Sequence, residues 1–552
     1  MTASKKENLL SIFWIFILLG GSLLLNLRWS PVYQELEADS GVYAYVGSAI
    51  LKGELPYRDV WEHKPPIGLY LNAMALVIFG HTPWAIWWFN VIWIAFTTVV
   101  FFLLIKNMMG LLTGCLASLF FLAGVMIPEL FQGGNLMEVY GLLPQVLIIW
   151  AMYLFFSKQQ ERWVLIAGLF TAWAFLTKQT TIALGVSSIL AIFLISLLRH
   201  EFKQALMRLL YFALGMIAPI ILAGLYWLVN GAAGDFLDAV FLHSLAYVGE
   251  RASLLWSFKN TVLNIFPKLS ISRLYEITAV AFVLYCVENF RWYFARLRRG
   301  HLASPTELHP TELTLLGVFI ALPLEIGMAS LGARNFGHYF LTLVPAGATV
   351  AAYILWKTVR EVQKVIHTKQ LSSWLSGAWI VLGLISFYWL WEAATIGTPN
   401  PAQLASVSEI FSNQYEINDL EKYIINTTGP DDRVLVWHIH TGINFITQRK
   451  AAARVLFPMN LFIGNQKMPE FTAEMAANPP ELIVFQKPSS LGLPFVDENI
   501  DEWCDSSCMP EVAAGIKQST VRKALNEFQS FFQSHYVLEK QIFDWNIYRY
   551  KN

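Results

Sequence analysis

Residues 9–27 read LLSIFWIFILLGGSLLLNL, an apolar run about long enough to cross the hydrocarbon core of a membrane as a helix. The run follows Lys5 and Lys6, as the apolar part of a signal peptide would. However, the stretch between Ser22 and Ser30 offers no convincing small-residue cleavage site. Because further apolar runs follow along the chain, we interpret residues 9–27 as a retained first transmembrane helix.

Similar runs recur at short intervals through residues 1–395. Only 14% of the 552 residues are charged and the mean hydropathy is +0.48, whereas soluble chains carry about 25% charged residues. We therefore predict a polytopic α-helical membrane protein with about eleven transmembrane helices. The spans predicted after the first are Trp84–Ile105, Leu111–Ile127, Val139–Phe156, Trp163–Thr177, Ile182–Leu198, Leu209–Val229, Tyr275–Phe290, Leu313–Leu331, Tyr339–Trp356 and Trp374–Ala394.

The connectors between these spans differ in charge. Basic residues crowd every second connector, while the acidic and His-containing motifs fall in the others. Since cytoplasmic connectors are enriched in Lys and Arg, the N-terminus is predicted to be cytoplasmic, and an odd number of spans places the C-terminal tail outside. The 39 basic and 39 acidic residues balance, so net charge gives no indication of a nucleic-acid partner.

The tail from residue 396 to residue 552 has a polar composition. It combines strand-like runs with helix-like stretches and ends in a pair of runs typical of a β-hairpin. We predict a small extracytoplasmic α/β domain, distinct from the transmembrane domain of residues 1–395. The strand-like runs are residues 433–438, 481–485, 536–543 and 547–550, and the helix-like stretches are residues 407–426 and 512–534.

Two pairs of residues in the tail are candidates for ligands or cross-links. Cys504 and Cys508 lie four residues apart, and a disulfide and two free thiols both remain open. His438 and His440 flank Ile439 in a strand-like run and would share one face. Core or surface positions explain these two histidines better than a metal site.

The first outer loop contains two helical periodicities, at residues 42–50 and 67–78. They predict two amphipathic helices along the outer membrane interface, the first one capped by Asp39 and Ser40. Lys64 would then stand at the N-terminus of the second helix, where free N–H groups favour an anion such as phosphate. The alternative, that Asp39 is only a helix cap and Lys64 only an interfacial cation, remains open here.

More polar groups fall on the same outer side. Glu138 follows Asn135 at capping-box spacing, which is the structural alternative to a functional role. Lys178 lies between two short apolar runs, where a lysine can also simply extend to the interface. Arg334 and His338 would share a helical face and suit phosphate binding and proton transfer, with ordinary interfacial flanking as the alternative.

These groups together provide what group transfer from a lipid phosphate requires, namely a base for the acceptor and cations for the leaving phosphate. A transporter or lipid flippase is the competing interpretation. Glu325 supports that alternative, because a carboxylate inside a predicted span must face the bundle interior. The absence of a convincing internal repeat argues against it. A membrane-anchored binding protein that works through its outer domain is a further alternative.

Several of these motifs resemble a known family. Residues 39–45 (DSGVYAY), 53–59 (GELPYRD) and 63–68 (HKPPIG) resemble the first-loop pattern of lipid-dependent GT-C glycosyltransferases. The resemblance is to the bacterial branch of the protein O-mannosyltransferase and aminoarabinose transferase superfamily. Residues 135–138 and 332–339 are similar to further blocks of that family.

The resemblance implies inverting transfer of a sugar from a polyprenyl-phosphate donor to a hydroxyl of a lipid, glycan or protein acceptor. It implies a site on the outer face of the bacterial plasma membrane, with Asp39 as the catalytic base. Ser40 stands where many relatives have a second acidic residue, so we predict no obligatory metal, with a divalent ion as the open alternative. The substrate-binding residues it implies are His63, Lys64, Glu138, Lys178, Arg334, His338 and Tyr339.

Overall fold

The computed structural model describes residues 3–249, 254–265, 267, 272–297, 309–331, 336–369, 373–397, 400, 403, 415–463, 466–486 and 510–551. These residues are mostly helical and include one small sheet near the C-terminal end of the chain. This arrangement confirms the predicted fold class.

The first part of the chain is a bundle of long apolar helices joined by shorter ones. Their bounds are α1 Ala3–Asn26, α2 Ala38–Leu51, α3 Pro66–Phe79, α4 Pro83–Met109, α5 Leu111–Val125, α6 Pro128–Phe131, α7 Met137–Lys158, α8 Arg162–Thr177, α9 Ala183–Leu198, α10 Phe202–Val229, α11 Ala233–Leu237, α12 His243–Gly249, α13 Leu254–Asn260, α14 Ser272–Leu297, α15 Pro310–Ser330, α16 Val344–Thr368 and α17 Trp374–Gly397. Gln179–Ile182 and Gly337–Leu343 form 3-10 helices.

Among the described residues, eight helical segments are long and apolar enough to cross a membrane. Each coincides with one of the predicted spans. The remaining predictions fall on α5 and α8, which are apolar but only 15 and 16 residues long, and on α14, which has 26 residues. The protein is therefore an integral membrane protein. Its outer helices α1 and α10 expose many leucine side chains, as helices that face lipid do.

The prediction that the two first-loop helices are amphipathic is wrong for α2, whereas their position along the membrane interface stays a prediction. Every residue from Gly41 to Ala49 is buried, because α2 is enclosed by α3 on one side and by the C-terminal domain on another. A helix that is apolar all round belongs in a core. The predicted start of α3 is confirmed, since Pro66 occupies its first turn. Proline suits that position because the N–H group it lacks would have no partner within the helix.

The C-terminal domain contains a five-stranded mixed sheet in the order β2-β1-β3-β5-β4 within the described residues. The strands β1 and β2 and the strands β1 and β3 pair in parallel, whereas β5 pairs antiparallel with both β3 and β4. The strand-like runs of the sequence are confirmed, including the terminal hairpin. The strands are β1 Arg433–Val436, β2 Lys450–Ala451, β3 Leu482–Gln486, β4 Tyr536–Ile542 and β5 Trp545–Tyr550.

The helices of the domain cover this sheet. The prediction of a helix at residues 407–426 is met only in part, because residues 404–414 lie outside the described ranges and the helix there is Asp419–Thr427. The described stretch of residues 512–534 holds two helices. These helices are Pro510–Ile516 and Ser519–His535, and the domain also contains the helices Gly442–Thr447 and Lys467–Ala477.

The first outer loop and the C-terminal domain share one hydrophobic core. Buried residues of α2 and α3 form a single cluster with residues of the domain such as Trp437 and Phe528. The backbone joins them as well: the Trp61 N–H donates to the Arg454 carbonyl at 2.9 Å, and the Ala451 N–H donates to the Tyr45 hydroxyl at 2.8 Å. The domain boundary near residue 395 stays a prediction, but the domain beyond it packs directly on the loop that carries Asp39.

Candidate active site

A cavity of about 430 Å³ lies between the first outer loop, the starts of α4 and α7, and the C-terminal domain. Its wall brings together residues that are far apart in the sequence. Five of the predicted site residues line it directly, and Glu138 and Lys178 lie immediately behind His338 and Tyr339. The lining residues from the prediction are Asp39, His63, Lys64, His338 and Tyr339.

Asp39 lies in the first turn of α2 and not at its cap. The helix begins at Ala38, and Glu37 occupies the N-cap position, so the interpretation of Asp39 as a cap is wrong. The Tyr43 hydroxyl, one turn along the helix, donates a hydrogen bond of 3.0 Å to Asp39 Oδ2. Burial tends to raise the pKa of Asp39, but the charges of Lys64 and the histidines outweigh it and hold the pKa below its usual value.

Residues 62–64 form a buried chain of contacts, of which His63 and Lys64 line the cavity. Glu62 Oε1 lies 3.0 Å from His63 Nδ1, and Lys64 Nζ donates to His63 Nε2 at 2.7 Å. Glu62 Oε1 also accepts the backbone N–H groups of His63 and Lys64 at 2.9 and 3.2 Å. Burial raises the pKa of Glu62 to about 7 despite the nearby Lys64 charge. A single carboxylate therefore anchors the segment that carries both nitrogen side chains.

Glu138 and Lys178 form a buried ion pair behind the cavity. Lys178 Nζ also lies 4.0 Å from the centre of the Tyr339 ring, a cation–π contact. His338 Nε2 lies 3.9 Å from Glu138 Oε1, and His338 Nδ1 contacts Gln132 Oε1 at 2.9 Å. The alternative in which Lys178 extends to the interface is wrong, because the ammonium group is turned inward to a carboxylate.

The capping-box interpretation of Asn135 and Glu138 is also wrong. Leu136 occupies the N-cap position of α7. The Asn135 amide donates instead to the Ser40 carbonyl and to Asn72 Oδ1, both at 2.9 Å, and Asn135 Oδ1 accepts the Tyr140 hydroxyl at 2.7 Å. Asn135 thus holds the first helix of the loop to α3 and α7, next to Asp39.

Other predictions fall on parts of the chain that are not described. Arg334, Cys504 and Cys508 all lie outside the described residues. His338 stands on a 3-10 helix, Gly337–Leu343. Glu325 is fully buried, as predicted, and its Oε1 accepts a hydrogen bond of 2.9 Å from the Gln145 amide on α7.

The C-terminal domain holds the backbone that precedes Asp39. The Ala38 N–H donates to the Ile439 carbonyl at 2.7 Å, and the Thr441 hydroxyl donates to the Ala38 carbonyl at 2.7 Å. The approach is so close that a Cβ on Gly41 would lie 2.4 Å from the backbone nitrogen of Gly442. Glycine is required there because any side chain would push the domain off the loop.

One group in the described residues has the composition of a metal site. Ligand atoms of Glu35, Glu37 and His440 lie within 4.8 Å of one another, at the junction of the loop and the domain. His440 Nδ1 lies 3.5 Å from Glu35 and 3.6 Å from Glu37. Its hydrogen bond to Glu35 is the largest influence on that carboxyl and lowers the pKa of Glu35. His438 stacks on His440 with ring centres 4.8 Å apart.

Sequence reasoning missed several residues of this site. Glu62 and Tyr43 could have been found from the sequence, because Glu62 lies next to the motif that contains Lys64 and Tyr43 lies one helical turn after Asp39. Gln132 had only the neighbouring glycines as a signal. Thr441 gave no local signal, because its role depends on contact with a residue some four hundred positions away.

Solved structures of other proteins are similar to this chain. The structure of ArnT from Cupriavidus metallidurans bound to undecaprenyl phosphate is 12% identical, covers 97% of this chain and 97% of that chain, and gives a TM-score of 0.51. The same ArnT in the apo state is 12% identical over 88% and 94% of the two chains, with a TM-score of 0.46. The Archaeoglobus fulgidus oligosaccharyltransferase in complex with Zn and sulfate is 13% identical over 91% and 70%, with a TM-score of 0.47.

The TM-score of 0.51 over nearly the whole length of both chains shows that this protein shares the ArnT fold. Residues 63–227 match the model of the family described as dolichyl-phosphate-mannose-protein mannosyltransferase. That match begins at the His63–Lys64 pair of the cavity. No curated protein matches the chain significantly.

Proposed function

We propose that this protein is an inverting glycosyltransferase that moves a sugar from a polyprenyl-phosphate carrier to an acceptor hydroxyl. The observation that carries the proposal is the convergence of one carboxylate, Asp39, with the ammonium of Lys64 and the imidazole of His63 in a single cavity. Undecaprenyl phosphate, the lipid bound in the ArnT structure, and the matching mannosyltransferase family support the same donor class.

In the proposed reaction, Asp39 accepts the proton of the acceptor hydroxyl while that oxygen attacks the anomeric carbon from the face opposite the phosphate. The bond between the anomeric carbon and the phosphate oxygen breaks, and the phosphate leaves with the bonding electrons. Lys64 and His63 stabilise the negative charge that develops on it. The products are a glycoside of inverted configuration, free polyprenyl phosphate and a protonated Asp39.

The charges around Asp39 suit its role as a base both before and after the lipid phosphate binds. In the empty cavity the cations keep Asp39 ionised, because they hold its pKa below the usual value. A lipid phosphate bound at Lys64 neutralises part of that positive charge. The pKa of Asp39 then rises toward the operating pH, and the carboxylate becomes a stronger base when both substrates are present.

The location follows from the charge pattern of the connectors. We propose that the cavity faces the extracytoplasmic side of a bacterial plasma membrane, with a cytoplasmic N-terminus. Arg334 is proposed to join the phosphate site, as the family resemblance implies. Tyr339, with the Glu138–Lys178 pair behind it, is proposed to form the wall against which the donor sugar or its phosphate lies.

The transporter interpretation has less support from the geometry. Glu325, its best argument, is held by Gln145 inside the bundle. The charged groups that could act on a substrate instead meet in the outer cavity. A flippase would show substrate movement across vesicles without consumption of a polyprenyl-phosphate sugar.

The test uses purified protein and undecaprenyl-phosphate-linked sugars with an envelope extract as acceptor. Release of free undecaprenyl phosphate reports transfer, and binding of undecaprenyl phosphate alone is measured separately. Asp39→Asn is expected to lose at least about 10²-fold in turnover, typical of a general base, and to keep lipid binding. Lys64→Met is expected to weaken lipid binding.

Glu54→Gln provides the matched control. Glu54 is a carboxylate of the same outer loop that lines a different cavity, so its loss should leave turnover unchanged. Near-normal turnover by Asp39→Asn would remove Asp39 from the mechanism. Undiminished lipid binding by Lys64→Met would remove Lys64 from the phosphate site.

A further inference from the structure

A second cavity, of about 290 Å³, lies beside the first on the C-terminal domain. Glu35 belongs to the walls of both cavities, and residues 439 and 440 separate them. The second cavity is bounded by the tip of the β4–β5 hairpin, the end of β3 and the start of the helix Asp419–Thr427. Its lining residues include Asn418, His440, Gln486, Phe543, Asp544 and Trp545.

The hairpin tip carries two aromatic residues into this cavity. Phe543 is 82% exposed, far more than an aromatic side chain with a packing role. Its backbone has φ +51, in the left-handed region that a bulky residue rarely adopts. Trp545 lies two residues on, with its ring 5.2 Å from the ring of His438 and 5.5 Å from that of His440. Trp545 also packs against the core of the domain, so Phe543 is the ring whose exposed surface the fold itself does not need.

Hydrogen-bonding groups surround these rings. The Gln486 amide donates to the carboxylate of Asp544, which fixes both side chains at the cavity wall. Asn418 and His440 stand on the facing side. An aromatic floor with a few convergent amide, carboxylate and imidazole groups is the composition of a small-molecule site.

We propose that the second cavity binds a carbohydrate, namely the glycan part of the acceptor. A sugar ring has an apolar C–H face, which packs on Phe543 and Trp545, and a rim of hydroxyls, which exchange hydrogen bonds with Asp544, Gln486 and Asn418. The volume suits about one or two sugar rings. A polypeptide acceptor would instead need a groove or a free strand edge for its regular backbone groups.

This proposal rests on the proposed function and names the acceptor class for the same site. A glycan held in the second cavity can extend one hydroxyl past Glu35 into the first cavity, where Asp39 is the base. The C-terminal domain then has two tasks, since it also holds the backbone at Ala38. Substrate selection and catalysis would depend on neighbouring segments of one domain.

The experiment uses the full-length protein in detergent and a panel of plain disaccharides: cellobiose, chitobiose, lactose and mannobiose. Saturation-transfer NMR reports which sugar protons contact the protein. Phe543→Ala and Asp544→Asn are expected to reduce the signal at least about fivefold. Leu538→Ala is the matched control, because Leu538 is an exposed apolar residue of the same hairpin that lies away from the cavity.

Binding of undecaprenyl phosphate is measured on the same samples to separate the two proposals. Sugar contact that is lost in both cavity variants and kept in Leu538→Ala supports the glycan site. If the lipid phosphate binds but no disaccharide does, or if sugar signals persist in both variants, the glycan site is refuted and the proposed function stands. Displacement of the sugars by an unstructured Ser/Thr-rich peptide would also refute it, in favour of a protein acceptor. If undecaprenyl phosphate itself fails to bind, the proposed function fails.

Discussion

The hydroxyl of Thr441 donates a 2.7 Å hydrogen bond to the carbonyl oxygen of Ala38, the residue that precedes Asp39. The N–H of Ala38 donates to the Ile439 carbonyl at the same distance, so the C-terminal domain holds this peptide from both sides. Ala38 has φ +45, a left-handed conformation that persists only when its surroundings enforce it. The orientation of Asp39 is therefore set by a segment that follows it by some four hundred residues.

Removing the Thr441 hydroxyl should impair catalysis more than binding. Thr441→Val keeps the size of the side chain but releases the Ala38 carbonyl, and small displacements of a catalytic group are costly. We expect kcat to fall about tenfold, with little change in the affinity for undecaprenyl phosphate. Steady-state kinetics and a lipid-binding assay measure the two effects separately.

Two further variants test the specificity of that effect. Thr441→Ser retains the hydroxyl and should restore most of the turnover. Thr472→Val removes a part-buried hydrogen bond within the domain, from Thr472 to the Ala524 carbonyl, and should leave kcat unchanged. Equal losses in Thr441→Val and Thr472→Val would show that the hydroxyl only stabilises the domain.

The buried pair of Glu138 and Lys178 should behave as one unit. Removing one partner of a buried ion pair leaves an uncompensated charge and costs about 3–5 kcal/mol, whereas neutralising both often costs much less. Lys178→Met should therefore lower the stability of the protein strongly, and Glu138→Gln with Lys178→Met should recover part of the loss. Thermal unfolding of the purified single and double variants measures the values that a double-mutant cycle needs.

Strict additivity of those single losses would contradict the pairing. Transfer activity gives the second measurement, since the cation–π contact places Lys178 against Tyr339 in the cavity wall. We expect the double variant to regain stability but to transfer sugar slowly, because the Lys178 ammonium behind Tyr339 is still missing.

The bundle could be predicted from the sequence because each transmembrane helix corresponds to one continuous apolar run. Long apolar runs such as residues 9–27 must form helices in lipid, since every backbone group has to be satisfied within its own segment. The hairpin of β4 and β5 was predictable for a similar reason, as its strands adjoin in sequence. Asp39 and Lys64 were found because their motifs are short and continuous.

The relations between distant segments could not be predicted in this way. The apolar periodicity of α2 predicted one buried face. The C-terminal domain covers a second face, and the sequence of α2 alone does not indicate that contact. The two-residue strand β2 is too short to carry a period. Asn135 had the spacing of a cap, yet tertiary contacts with Ser40 and Asn72 determine its orientation.

The buried carboxylate of Glu62 predicts an acid limit to activity. Burial raises the pKa of Glu62 to about 7, so the group is ionised above that pH and protonated below it. Protonation removes the negative charge that faces His63 Nδ1, and the chain of contacts to Lys64 loosens. We expect turnover to fall as the pH drops below about 7. The limb is measured in kcat/KM, which reports the free enzyme, and there the lowered pKa of Asp39 places its own titration at more acidic pH.

Glu62→Gln distinguishes this explanation from titration elsewhere. The amide oxygen can still accept the backbone N–H groups of His63 and Lys64, but the side chain no longer titrates. Above about pH 7 the variant should turn over more slowly than the wild type. Between about pH 6 and pH 7 its turnover should not change with pH. A pH–rate profile with the same acid limb in both proteins would assign the limb to another group.

Metal dependence is the last property that the site allows to be tested. We propose that transfer needs no metal, because Ser40 stands beside Asp39 and cations surround that carboxylate. EDTA should then leave turnover unchanged. Glu35, Glu37 and His440 are the described residues that could hold an ion, and they lie at the contact between the loop and the domain.

A variant of His440 shows whether an effect of EDTA comes from an ion at Glu35, Glu37 and His440. His440→Gln removes the nitrogen ligand of that group, and under our proposal it should leave the response to EDTA unchanged. Inhibition by EDTA that one divalent ion reverses in the wild type, and that is absent in His440→Gln, would overturn the proposal. It would place an ion two residues from Asp39, where its charge would keep Asp39 ionised alongside Lys64 and would hold the loop on the domain.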